Sequence, residues 1–242
     1  MSKANEVSGN REMTSEASDA GAKPAKLDKA NTIKPKNGKE LEAALENAKP
    51  GTVIKLGDGV YEGKFHLKDK KDVTIIGSPK SVLKSDGYGL HLENSSNCRL
   101  VGFTVADSKK GIVLDGSNNN TLSQLTVKGI DEEGIHFRNN SSNNLLERSR
   151  IDDTGRKKPQ FGEGVYIGSH GKDDRSNNNH ICYNVFGDKV RAENIDVKAN
   201  TSGGVIEGNK FNVEGSMNIN YADSATVRVS GFLCRHVIDA EA

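Results

Sequence analysis

Residues 89–105 read GLHLENSSNCRLVGFTV, and residues 111–127 read GIVLDGSNNNTLSQLTV. The two stretches share one plan: an alternating strand, a polar Ser/Asn turn, then a second apolar stretch. The plan returns in GIHFRNNSSNNLLERSRI (134–151), GVYIGSHGKDDRSNNNHICYNVF (164–186) and NIDVKANTSGGVIEGNKF (194–211). The first apolar positions Leu90, Ile112 and Ile135 are 22 and 23 residues apart, and Val165 and Ile195 follow at intervals of 30. A period near 22 with short strands marks a parallel β-solenoid, because one coil cannot bury its own apolar face and stacked coils share a core.

Aligning the coils gives four apolar columns. One is Leu90, Ile112, Ile135, Val165 and Ile195; the second is Leu92, Leu114, Phe137, Ile167 and Val197. The other sides of the coil supply Leu100, Leu122, Leu146, Ile181 and Ile206, then Val105, Val127, Ile151, Phe186 and Phe211. The Asn clusters fall at the same turn of successive coils, where Asn tolerates a left-handed backbone and can bond along the column. NGKELEAALENAKPGT (37–52) reads as a helix with Asn37 as N-cap and Glu40 at the capping-box position. Its apolar residues Leu41, Ala44 and Leu45 share one face, so it can plug the open first coil. The expected fold is therefore all-β, a single-stranded parallel β-helix with an N-terminal capping helix. Residues 1–33 are polar and expected to be disordered, residues 34–224 form the β-helix, and residues 225–242 are either one more strand or a poor cap.

Composition sets outer bounds. The net charge of +1 argues against bulk nucleic-acid binding. No apolar run is long enough to span a membrane, and MSKANEVSGN at the start carries no apolar signal-peptide core. Cys98, Cys182 and Cys234 match no zinc spacing and read as buried or idle thiols.

Strand alternation then orders the outward face. One outward column is His66, His91, Val113, His136, Tyr166 and Asp196; the next is Lys68, Glu93, Asp115, Arg138, Gly168 and Lys198. Lys110, Glu133, Glu163 and Glu193 lie just before the strand. Lys68 with Glu93 and Asp115 with Arg138 form a charge ladder, and the three histidines read as a polar cross-strand stack. The last two coils differ. Glu163, Glu193 and Asp196 converge, and oxygen-only ligands suit Ca²⁺. Two long insertions beside this face carry Arg156, Lys157, Lys158 and Arg175, which suit an acidic ligand. Proton abstraction α to a sugar carboxylate needs a cation on that carboxylate and a base, here Lys198. Cancelling the charge of Glu193 and Asp196 is what frees the lysine for that task. RAENIDVKAN (191–200) is equally readable, by itself, as a solvated charged strand.

At these residues the sequence resembles the right-handed parallel β-helix proteins of the pectate-lyase-like superfamily, over residues 34–224. ENIDVK (193–198) is similar to the acidic-then-lysine strand of its chondroitinase- and alginate-lyase-like members. The resemblance implies a right-handed helix, with Lys198 as base and Glu193 and Asp196 as Ca²⁺ ligands; Glu163 joins them by the column argument. It implies an acidic, uronate-containing polysaccharide as partner; by their places in the columns and loops, Tyr166, His136, Arg138, Arg156, Lys157, Lys158 and Arg175 are expected to bind it. Secretion and a monomeric state are the matching expectations. Such lyases also use an arginine in the following coil. Here that coil reads VEGSMNINYADS, with Asn218 and Asn220 outward, and Arg228 comes later. This departure leaves open an incomplete or inactive relative. The two leading readings are a Ca²⁺-assisted polysaccharide lyase and a non-catalytic β-helix that binds carbohydrate or another surface partner. Hydrolysis by paired carboxylates is the third, and its Asp173–Asp174 pair falls in a loop.

Overall fold

The computed structural model describes residues 31–170, 173–212, 219–222, 224–231 and 233–234. The polar N-terminal segment through residue 30, the stretch 213–218 with Gly215, Met217 and Asn218, and residues 235–242 lie outside the described residues. The chain winds into a right-handed parallel β-helix of about eight turns with three parallel sheets. The nine-stranded sheet runs from Thr32–Ile33 to Val227–Ser230, and the eight-stranded sheet from Gly59–Glu62 to Leu233–Cys234. The seven-stranded sheet runs from His66–Lys68 to Ile219–Tyr221 and carries the candidate site.

Each strand pairs with its counterpart one coil away, so the four apolar columns hold in register. Leu90, Ile112, Ile135, Val165 and Ile195 are successive partners. Leu100, Leu122, Leu146, Ile181 and Ile206 are too, as are Val105, Val127, Ile151, Phe186 and Phe211. All are buried in one continuous core, with Phe65 and Leu67 extending it toward the first coil. Cys98 and Cys182 are free and buried.

The helix Gly38–Asn47 closes the first coil. Asn37 accepts from the Glu40 N–H at 3.0 Å, and the Glu40 carboxylate accepts in return from the Asn37 side-chain amide at 3.1 Å and from the Lys36 N–H, one residue before the cap, at 2.8 Å. Leu41, Ala44 and Leu45 are buried. Gly38 must lack a side chain, since a Cβ there would sit 1.8 Å from the Glu62 carbonyl oxygen. At the other end Val227–Ser230 pairs with Gly204–Glu207, so the sheet continues beyond residue 224, where the visible repeat fades. The short VRVS alternation lacks an Asn turn to announce it, yet Val227 and Val229 still pack on the core.

The Asn turns form buried ladders. Asn144 Oδ1 accepts from both the backbone N–H and the side-chain amide of Asn120, at 2.9 and 3.0 Å. Asn179 Oδ1 does the same for Asn144 at 3.0 and 3.1 Å. A parallel column of Ser95, Ser117, Ser141 and Ser176 takes each preceding serine's N–H on the next hydroxyl. A second ladder links Leu125, Ser149, Asn184 and Asn209. Neighbouring corner residues Asn94, Asn119, Asn143 and Asn178 adopt φ between 49° and 59°.

Removing one rung strands buried donors, each costing about 1–3 kcal/mol. Asn144→Ala is therefore expected to lower unfolding free energy by at least that much in urea denaturation. The exposed corner variant Asn143→Gly, which keeps the turn conformation, is expected to stay within about 0.5 kcal/mol.

Candidate functional site

The outward face of the seven-stranded sheet follows the alignment of coils. His66 pairs with His91, His91 with Val113, Val113 with His136, His136 with Tyr166, and Tyr166 with Asp196. Asn220 extends the column past Asp196 and donates to its Oδ1 at 3.0 Å. Lys198 follows Asp196 by two residues, so its side chain rises on the same face. Its ammonium lies 2.6 Å from Asp196 Oδ2 and 5.1 Å from the Tyr166 ring centre. Gly168 stands beside it in the preceding coil, at φ +86°, where a Cβ would come within 3.2 Å of Lys198 Cβ.

Glu163, Glu193 and Asp196 each bring one carboxylate oxygen within 4.8 Å of the others. Glu163 and Asp196 are almost wholly buried, and Glu163 Oε2 has no hydrogen-bond partner. Burial first, and then the charges of Glu133, Asp196 and Glu193, push the Glu163 carboxyl up to about 7. Burial also raises the Tyr166 phenol, reinforced by Asp196, Glu163 and Glu133, so the hydroxyl keeps its proton at neutral pH.

His136 meets Tyr166 edge-on, with ring centres 4.5 Å apart. Its Nε2 lies 3.0 Å from the Gly168 carbonyl, which can only accept, so the neutral ring carries its proton there. Nδ1 is left as a buried acceptor without a hydrogen bond, 3.7 Å from Glu133 Oε1. Burial lowers the His136 pKa to about 4 despite the opposing charge of Glu133.

A cleft of about 460 Å³ opens beside these groups, lined by Glu133, His136, Arg138, Phe161, Glu163 and Tyr166 among others. Glu193, Asp196 and Lys198 stand past Tyr166, outside that lining. Glu163 and Tyr166 thus join the cleft to the acidic cluster. Phe161, half-exposed in the single turn Pro159–Phe161, forms the lip beneath Lys158. Only its place as the one aromatic of an otherwise polar insertion could have marked it in the sequence.

The basic residues meet protein carboxylates. Arg156 lies 3.0 Å from Asp107 and 3.8 Å from Asp131, Lys157 2.7 Å from Asp131, and Lys158 2.5 Å from Glu132. Arg175 pairs with Asp173 in an exposed loop at 3.1 Å. Arg138 holds Asp115 through Nε and Nη2 at 2.6 and 2.8 Å. Of this set only Arg138 and Lys158 line the cleft. Arg228 lies on the nine-stranded sheet, 3.8 Å from Glu207, on a different face from Lys198.

A family described as "Periplasmic copper-binding protein (NosD)" matches residues 3–229. An alginate lyase from Paenibacillus sp. str. FPU-7 is similar over 84% of this chain and 76% of its own, at 30% identity and a TM-score of 0.77. The A-module of mannuronan C-5 epimerase AlgE6 from Azotobacter vinelandii shares the fold at 15% identity and a TM-score of 0.60, over 78% of this chain and 54% of its own. Pectate lyase Pel9A does so at 15% identity and 0.61, over 77% and 55%, so this chain spans about half the length of those two proteins. No curated protein matches the chain in sequence.

Buried Glu163 makes stability depend on pH. A carboxyl that holds its proton more tightly in the folded than in the unfolded chain contributes fully below its unfolded value of 4.5 and loses that contribution as pH rises through about 7. Without added cations, wild-type protein is expected to lose on the order of 2–3 kcal/mol relative to Glu163→Gln between pH 5 and 8. Denaturation of both proteins across that range checks this, and the subtraction cancels the opposite trend from His136.

Proposed function

The chain belongs to this NosD family of right-handed β-helix proteins, and from that premise and the cleft's geometry we propose that it acts on an acidic polysaccharide outside the cytoplasm. The reaction is β-elimination at a 4-linked uronate, and alginate is the first polymer expected, given the alginate lyase at 30% identity. One observation carries this reading: three carboxylates and a lysine from two adjacent coils meet beside the cleft.

The donor set fits a hard cation. It offers oxygen atoms only, and the buried Glu163 Oε2 lacks any other partner. Glu163, Glu193 and Asp196 would hold Ca²⁺, which supplies positive charge where the substrate carboxylate gains electron density. Lys198, loosened from Asp196 and having given one proton to solvent, takes the proton from C5 as a neutral amine. The electrons form the C4=C5 double bond as the C4–O bond breaks. Tyr166, whose phenol keeps its proton, donates it to the departing glycosidic oxygen. Phe161 offers a flat apolar surface to a sugar ring at the cleft's lip, and Lys158 offers charge to a carboxylate. No helix among the described residues is long and apolar enough to cross a membrane. The protein acts as a monomer in this reading.

A second reading, a non-catalytic carbohydrate-binding β-helix, draws on two observations. Asn220 stacks on Asp196 in the coil where related lyases place an arginine. Lys198 is held at 2.6 Å by Asp196 rather than standing free in the cleft.

Incubation with alginate, pectate and chondroitin, read by the ultraviolet absorbance of unsaturated products, separates the two. Activity on alginate is expected, with a loss of at least about 100-fold in Lys198→Ala and Tyr166→Phe and a marked loss with chelator. Absence of product on every uronate polymer, with polymer still bound, selects the binding reading.

A further inference from the structure

The second insertion, residues 169–180, carries two adjacent aspartates of opposite character. Asp173 faces solvent and meets Arg175 at 3.1 Å. Asp174 is only 2% exposed, although it belongs to a loop. Its carboxylate accepts four hydrogen bonds. Oδ2 takes the Asn139 N–H and the Ser169 hydroxyl, both at 2.7 Å. Oδ1 takes the Asn140 N–H at 2.9 Å and the Ser176 hydroxyl at 2.7 Å. Asn139 and Asn140 both stand at positive φ, 52° and 65°, so their successive N–H groups make a concavity that suits an anion. Burial opposes the charge, yet these donors hold the Asp174 carboxyl below its ordinary value.

These bonds tie the insertion to the corner of the preceding coil, 35 residues back. What they fix on the other side is the cleft wall, since Ser169 and His170 both line the cleft. Gly168, just before them, is held twice more. Its N–H donates to the Phe137 carbonyl at 2.8 Å, and its carbonyl accepts from His136 Nε2 at 3.0 Å. The chain therefore leaves the sheet at Gly168 in one direction, and Asp174 catches it at Ser169. His170 comes next. Burial, then the charges of Asp196, Glu163 and Glu133, raise the Tyr166 phenol, and a hydrogen bond from the His170 backbone N–H acts the other way.

We propose that Asp174 is a positioning residue for the reaction at Tyr166: it holds the backbone of residues 168–170 so that the His170 N–H stays on the phenol oxygen. This rests on the lyase reading, in which Tyr166 gives its proton to the departing glycosidic oxygen. The amide does two things in that step. It occupies a lone pair of the phenol oxygen, which leaves the hydroxyl hydrogen to turn toward the cleft. It also stays in place as the O–H bond breaks, so the phenolate left behind keeps a fixed donor until solvent returns the proton. Asparagine cannot replace Asp174, because its amide nitrogen only donates and one pair of donors would lose its acceptor.

The test measures kcat and KM on alginate with the full chain, beside hydrogen exchange of the His170 amide by nuclear magnetic resonance. Asp174→Asn and Asp174→Ala are each expected to lower kcat about tenfold or more, with KM little changed, and to speed exchange at His170. Tyr166→Phe removes the acceptor and should speed that exchange likewise. Asp173→Asn should leave kcat and exchange as they are. Asn120→Ala breaks the buried ladder two coils earlier, so it should lower the melting temperature without lowering kcat, which separates positioning from loss of fold. Unchanged kcat in folded Asp174→Ala, a fall no greater than in Asn120→Ala, or His170 exchange that ignores both Asp174→Ala and Tyr166→Phe overturns the inference. If the wild type makes no product on any uronate, the lyase reading fails, and exchange alone then decides whether Asp174 holds the amide on Tyr166.

Discussion

Everything in this protein depends on parallel backbone pairing between coils. It sets a repeat of about 4.8 Å along the axis and converts sequence separations of 22 to 30 residues into side-chain contacts. The register is rigid because a slip of one residue would turn every apolar column outward. It is held twice over: by the core columns, and by the Asn and Ser ladders that satisfy buried corner amides. The ladders specify more than they stabilise. A buried amide accepts one neighbour in one orientation, whereas leucine tolerates several.

Because the register is fixed at the strands, extra residues must leave at the corners. The coil that begins near Ile135 and the next one are 30 residues long, and their excess forms the segments 152–162 and 169–180. These insertions do not disturb the pairing of His136 with Tyr166 or of Tyr166 with Asp196. The first raises Phe161 and Lys158 over the strand, turning a flat sheet face into a cleft. A site appears where the coil lengthens because the core cannot follow the added chain outward.

The fold was legible because its signal repeats. Each column is sampled once per coil, so the inward positions, the Asn corners and the capped helix could all be placed from residue type and spacing. The convergence of Glu163, Glu193 and Asp196 was legible for the same reason, since each belongs to a column. Pairings that do not follow columns were not. Arg156 finds Asp107 across 49 residues, and Lys157 finds Asp131 across 26, through loops whose path no period predicts. Cations counted as available for an acidic ligand are therefore largely matched already. The histidines were read as a polar cross-strand stack: His66 does stack on His91, whereas Val113 separates His136 from them.

The same face therefore ends in two donor sets of unlike character. One end collects carboxylates, with Glu163 kept buried and short of a partner. The other stacks His66 on His91, whose Nε2 meets Asp115 Oδ2 at 2.7 Å, beside Lys68 and Arg138. Val113 is an apolar gap in one polar column, while the next runs unbroken through Glu93, Asp115 and Arg138. Oxygen atoms alone favour a hard cation such as Ca²⁺. A solenoid permits this because every outward residue is set by its own coil. Chemistry at one coil can change without moving the next, so carboxylates gather at one end of the face and imidazoles at the other on one unbroken sheet.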